Sequence, residues 1–255
     1  MATVTLAMIN ELRQKSGVGM MDCKKALQAA DGDMEKAMEN LRKAGMAKAD
    51  KKAGRTAAEG VFVSDIDGNV GIAIELLSET DFAARTDDFQ KFAAEVMAVA
   101  KTLDVDGDIS AILNEKCGDM VKMLVGKLSE NIQIRRAVRW VSKGAIRSFK
   151  HHQGGPFYGV LVDVEGEYDD NMLTELCLHI TAGMPQPAEY INPSDVPAER
   201  VAKEREIAAD SDRLKGKPEK MIEGILAGMI NKWYTQVCLM KQPWYDDEKT
   251  CLEKL

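Results

Sequence analysis

Glu79-Thr80-Asp81-Phe82-Ala83-Ala84-Arg85 lies between two segments of different period, and that change sets the fold class. Before it, Val70 to Leu77 reads as a strand. After it, Phe89, Phe92, Ala93, Val96, Met97 and Ala100 recur at the spacing of one helical face. Thr86 can cap that helix, and Asp87 and Asp88 suit its positively polarised first turn. Phe82 falls outside the helical register. Two readings stay open: a staple packed on the first turn, or an exposed aromatic wedge for a partner protein, flanked by Asp81 and Arg85.

Working outward, the strand has a partner in Val61-Phe62-Val63, joined to it through the turn Asp67-Gly68-Asn69. The pattern returns later. Ile146 to Lys150, the turn Gly154-Gly155 and Tyr158 to Val164 predict a second hairpin, and Asp169 to Thr181 a helix after it. Two hairpin-plus-helix units predict two related core subdomains of an α+β protein, at 56–142 and at 143–186 with 234–255. Val121 to Leu128 and Gln133 to Trp140 are expected to supply connecting helical or extended packing.

Residues 1–45 predict three short helices. Val4, Met8, Ile9 and Leu12 form one stripe, Met20 to Ala30 follow the turn Gly17-Val18-Gly19, and Met34, Ala37, Met38 and Leu41 form the third, stopped at Gly45. The bundle, taken as 1–53 with its linker, resembles ubiquitin-associated domains, with Met20 and Met21 at a partner-binding surface. Lys43, Lys48, Lys51, Lys52 and Arg55 then read as a solvated helix end and tether with a secondary steering role toward an acidic partner.

From Pro185 onward prolines punctuate a loop, and Asp195 precedes the next helix. Val196 to Leu214 and Pro218 to Trp233 predict an antiparallel helical hairpin, a module of residues 187–233 turned at Lys215-Gly216-Lys217. Its apolar residues (Val201, Ile207, Met221, Ile222, Ile225, Leu226, Met229) do not keep a strict heptad, which leaves pairing within the chain and a homodimer both open.

Composition excludes several classes of function. A net charge of −7 argues against a general nucleic-acid backbone binder. No apolar run reaches the roughly 20 residues of a membrane span, and no signal peptide is visible. The five cysteines show neither zinc spacing nor a disulfide framework, which fits the cytoplasm. Phosphate-loop, dinucleotide, zinc-protease and nucleophile-elbow motifs are missing, so neither enzyme chemistry nor a cofactor is expected. His179, on a helix with Leu173, Leu176 and Ile180, reads as a satisfied core histidine, and His151-His152 as a solvated pair.

The run Leu12-Arg13, then Ser16-Gly17-Val18-Gly19-Met20-Met21-Asp22-Cys23-Lys24-Lys25-Ala26-Leu27, resembles the N-terminal signature of the elongation factor Ts family. Asp31 to Ala37, Lys51 to Gly60 and Glu79-Thr80-Asp81-Phe82 continue the resemblance in order, and it extends more loosely through Asn131 to Arg136 and Gln242-Pro243. The resemblance implies a guanine-nucleotide exchange factor for elongation factor Tu, binding the nucleotide-free GTPase preferentially. Thr80, Asp81, Phe82 and Ala83 would disturb the magnesium site, with Phe82 the wedge, Asp81 its polar partner and Thr80 fixing the turn. Arg13, Met20 and Met21 would dock the bundle, His151 would lie near a contact position, and 187–233 would be the family's coiled coil. Ala83 stands where the family usually has valine, and Trp244 where phenylalanine is common. Lys249 to Leu252 is expected to begin a last helix; the family commonly continues with a strand and helix, so the second subdomain is expected to lack an edge strand. The competing reading, an adaptor without exchange activity, accounts for 1–45 but leaves Thr80-Asp81-Phe82 and the repeated core unexplained.

Overall fold

The computed structural model describes residues 4–151, 158–211, 214, 217–247 and 249–254. It is a mixed helix and sheet protein in two compact units, Met1–Glu167 and Tyr168–Leu255.

In the first unit, helices α1 (Leu6–Ser16), α2 (Met20–Ala29) and α3 (Met34–Lys52) enclose Ile9, Leu12, Cys23, Leu27, Ala37 and Leu41. Thr5 caps α1 by accepting the Met8 N–H, Asp33 caps α3, and α1 ends at Gly17 with φ 65°. Gly45 does not stop α3, contrary to the expectation above. It lies inside the helix, facing Gly126 of α6 (Ser110–Leu128), and a Cβ added at Gly126 would come within 2.9 Å of the Gly45 Cα. Here glycine serves close helix approach rather than termination. The basic stretch is mostly helix end, as read, with Lys43, Lys48, Lys51 and Lys52 inside α3 and Arg55 beyond it. Lys48 pairs with Asp22 at 2.8 Å, Arg42 with Asp119, and Lys52 donates to the Ser129 carbonyl.

Strands β1 (Glu59–Asp67), β2 (Val70–Ser78), β3 (Gly107–Asp108) and β4 (Gln133–Val141) form an antiparallel sheet in the order β1-β2-β4-β3. One face meets α5 (Asp87–Lys101) and α6, burying Ile72, Ile74, Leu76, Ile134, Phe89, Phe92, Val96 and Leu113. Of the two conformations expected for Gln133 to Trp140 the extended one holds, as an internal strand of the sheet. The first half of α6 was not expected, because its start lacks a side-chain cap of its own: Ile109 occupies that place, and Asp108 accepts the Ser110 N–H at 2.8 Å instead.

A two-stranded sheet, β5 (Ala145–His151) and β6 (Tyr158–Val164), forms the second hairpin; its expected turn Gly154-Gly155 falls outside the described residues. The two hairpins seat into one another reciprocally. The Phe62 ring of β1 occupies the space a Cβ would need at Gly159 of β6, and Ile146 of β5 does the same at Gly71 of β2. Between these seats the Ser64 and Ser148 hydroxyls hydrogen bond at 3.0 Å.

The second unit holds α7 (Asp170–Ala182), the helix expected over Asp169 to Thr181 with Asp169 as its cap, then α8 (Ala198–Ala209) and α9 (Glu219–Val237). Val196, Val237 and Cys238 make one small core; Ala208, Leu214 and Leu226 make another. The helical hairpin is present with shifted bounds, α8 ending earlier and α9 running on to Val237, while its Lys215-Gly216 turn lies outside the described residues. Its presumed single apolar face divides: Leu226 is buried, Ile207 and Met221 exposed. Lys249 to Leu252 does not begin a long helix; Cys251 bridges Pro243, and Leu252–Lys254 form one 3-10 turn. Among the described residues no helix is long and apolar enough to cross a membrane.

Candidate functional site

After β2, Thr80 leaves the strand with extended backbone and caps a one-turn helix, α4 (Asp81–Ala84), by accepting the Ala83 N–H at 3.2 Å. A four-residue helix does not persist alone, so its geometry comes from neighbours. Thr86 Oγ1 donates to the Ala83 carbonyl at 2.7 Å and Gln90 Nε2 to the Ala84 carbonyl at 2.7 Å, satisfying the turn's C-terminal end.

Successive helical residues are rotated about 100°, so one turn sorts its side chains cleanly. Ala83 and Ala84 face inward and are buried, while Phe82 stands 78% exposed. Asp81 pairs with Arg85 at 3.0 Å across the same outer face. The staple reading is therefore excluded, and the apolar ring is displayed to solvent. Ala83, expected beside the ring, lies beneath it.

The corner is clasped to the turn between α6 and β4. The Thr80 N–H and Oγ1 both donate to the Glu130 carboxylate, at 3.0 and 2.7 Å. In return the Asn131 N–H donates to Glu79 at 2.7 Å, and Arg55 pairs with Glu79 at 3.1 Å. The Asn131 N–H, with Arg55 adding its charge, holds the Glu79 carboxyl below the usual glutamate range. Asn131, buried, also donates its amide to the Arg55 carbonyl at 2.6 Å. Glu130, Glu79, Gln90 and the Asn131 amide escaped the sequence reading; the Thr80–Glu130 separation of 50 residues leaves no local pattern to find.

Arg13, Met20 and Met21 lie around the α1–α2 turn and are all exposed. They form a second patch in the same unit; among the described residues, no hydrogen-bond partner of the corner comes from α1 or α2. His151 is exposed at the end of β5, opposite Tyr158. His179 is fully buried as expected; neither ring nitrogen makes a hydrogen bond of ordinary geometry, although the Gln242 side chain acts on the ring, which stacks on Trp244 at 5.0 Å. Among the described residues no His, Cys, Asp and Glu gather to hold a metal ion.

The corner exposes one aromatic ring and an ion pair, and its hydrogen bonds hold that pose. A family profile described as Elongation factor TS matches residues 79–255. The chain is 41% identical over 254 residues to "Elongation factor Ts" of Arthrospira platensis, covering 97% of this chain and all of the relative. It is 42% identical over 256 residues to the protein of the same name from Alcanivorax borkumensis, covering 97% of this chain and 87% of the relative. This chain belongs to the elongation factor Ts family, whose members exchange guanine nucleotide on elongation factor Tu, and its role is in translation elongation.

Proposed function

We propose that this chain releases GDP from elongation factor Tu in the cytoplasm, using the Phe82 corner to disturb the magnesium and phosphate site. One observation carries the reading: in a chain of this family, Phe82 stands 78% exposed on a corner whose polar groups are partnered. Magnesium bridges the nucleotide's phosphates, so moving the elements that hold it weakens nucleotide binding most directly. Phe82 supplies the wedge and Asp81 the polar contact. Thr80 fixes the turn, and Ala83 acts from beneath by seating it.

By linkage, a factor that loosens GDP must bind the nucleotide-free GTPase more tightly, by the same ratio. Arg13, Met20 and Met21 provide a second contact from the bundle, and His151 a minor one. The exposed Ile207 and Met221 of the helical hairpin support a further contact, with the GTPase or with a second copy of the chain. Nucleic acid takes no direct part, which agrees with the net charge of −7. The assay is release of labelled GDP from elongation factor Tu. The chain should accelerate it catalytically, and excess GDP should detach the chain from the GTPase. An unchanged release rate at saturating chain would overturn the proposal.

A further inference from the structure

We infer that Glu130 is a positioning residue of the exchange site, holding Thr80 so that Phe82 and Asp81 meet the GTPase in one fixed pose. The inference rests on the exchange reading above and goes further, because it gives Glu130 a role exerted through Thr80.

The geometry is a mutual clasp. Glu79, just before Thr80, accepts the N–H of Asn131; Glu130, just before Asn131, accepts the N–H of Thr80. Two carboxylates are thus exchanged between the end of β2 and the start of β4. Glu130 grips Thr80 twice, and the second bond matters most. By donating its proton to Glu130, the Thr80 hydroxyl keeps a lone pair directed at the Ala83 N–H, the cap of α4. Hydrogen bonds to a carboxylate are short and strong, so this acceptor orients the hydroxyl far better than water does. Without Glu130 the Thr80 N–H loses its acceptor and the hydroxyl is free to turn, so a one-turn helix loses its start. Phe82 and Asp81 are the two residues that turn displays.

The same peptide segment reaches the N-terminal bundle. Lys52, the last residue of α3, donates to the Ser129 carbonyl, and the Asn131 amide to the Arg55 carbonyl. The corner's pose is therefore braced against α3.

Glu130→Ala should fold, and at saturating protein should lower the GDP release rate by roughly tenfold or more, the scale of a lost hydrogen bond to a charged group. Glu130→Gln should recover part of that rate, since its carbonyl oxygen still accepts the Thr80 N–H. Thr80→Val should match Glu130→Ala, and also serves if the latter fails to fold. In an Asp81→Ala/Phe82→Ala background, Glu130→Ala should add less than a twofold further loss, because both side chains it poses are already gone. Multiplying losses would overturn the inference, as would full release by Glu130→Ala per folded molecule. Fluorine NMR of 4-fluorophenylalanine at position 82, taken on the free chain, separates the two readings. A wild type that fails to release GDP sinks the exchange reading, whereas a Phe82 signal unmoved by Glu130→Ala sinks the positioning role.

Discussion

Phe82 and His179 invert the usual arrangement of a folded chain in opposite directions. One is an apolar ring left outside, at 78% exposure; the other is a polar ring fully inside, with neither nitrogen in a hydrogen bond of ordinary geometry. Around Phe82, Glu130, Thr86 and Gln90 answer the polar groups of the corner, so displaying the ring need cost the fold little. Around His179 the surroundings are aromatic: Trp244 stacks on it, and the Tyr245 ring lies 6.3 Å away. Burial pushes its pKa below the ordinary 6.5, with the Gln242 side chain opposing. On the proposed function, the first site holds its anomaly for a partner. The second holds one that the fold itself must bear.

The contrast breaks most visibly under truncation. Trp244→Ala should cost about 3–5 kcal/mol of stability, the usual range for a buried tryptophan, and leave exchange per folded molecule intact. Thermal melts beside an exchange assay read both quantities. Phe82→Ala should do the converse. Its melting point should stay within the ~0.5 kcal/mol expected of a surface change, while its affinity for the GTPase drops by about 2–4 kcal/mol, a hot-spot loss. A steep fall in its melting temperature would erase the distinction.

Acid sharpens the comparison further. A histidine whose folded pKa is depressed leaves the unfolded chain binding more protons, so its contribution is complete above pH 6.5. That contribution declines as the pH drops from 6.5 toward the lowered value. Melts of the wild type should track this fall, and His179→Phe should flatten it; parallel curves for the two proteins would contradict the assignment. The smallest effect belongs to Glu79. Its lowered pKa contributes stability above pH 4.5, lost as the pH falls through the depressed folded-state value. The gap between wild type and Glu79→Gln should therefore close below pH 4.5.

Local patterns carried much of this fold. The helix after the corner obeyed its apolar period through to Ala100, and Thr86 capped it where expected. What escaped was set by distant groups. Gly45 looked like a stop until α6 supplied Gly126 against it, and the lysines looked solvated until Asp22 and Ser129 received two of them. At the site, Phe82 was legible as a residue outside every register. The clasp that poses it was not, because neither Glu79 nor Glu130 departs from ordinary surface composition. For His179 the burial was readable, but the lack of an ordinary hydrogen bond at its nitrogens depended on which rings from 244–245 came to cover it.

The clasp also sets an order of events during synthesis. Thr80 leaves the ribosome 50 residues ahead of Glu130, a delay of several seconds at ordinary elongation speeds of about 5–20 residues per second. Through that interval the cap of α4 has no carboxylate to fix it, and the chain carries Phe82 without the pose that would let it act.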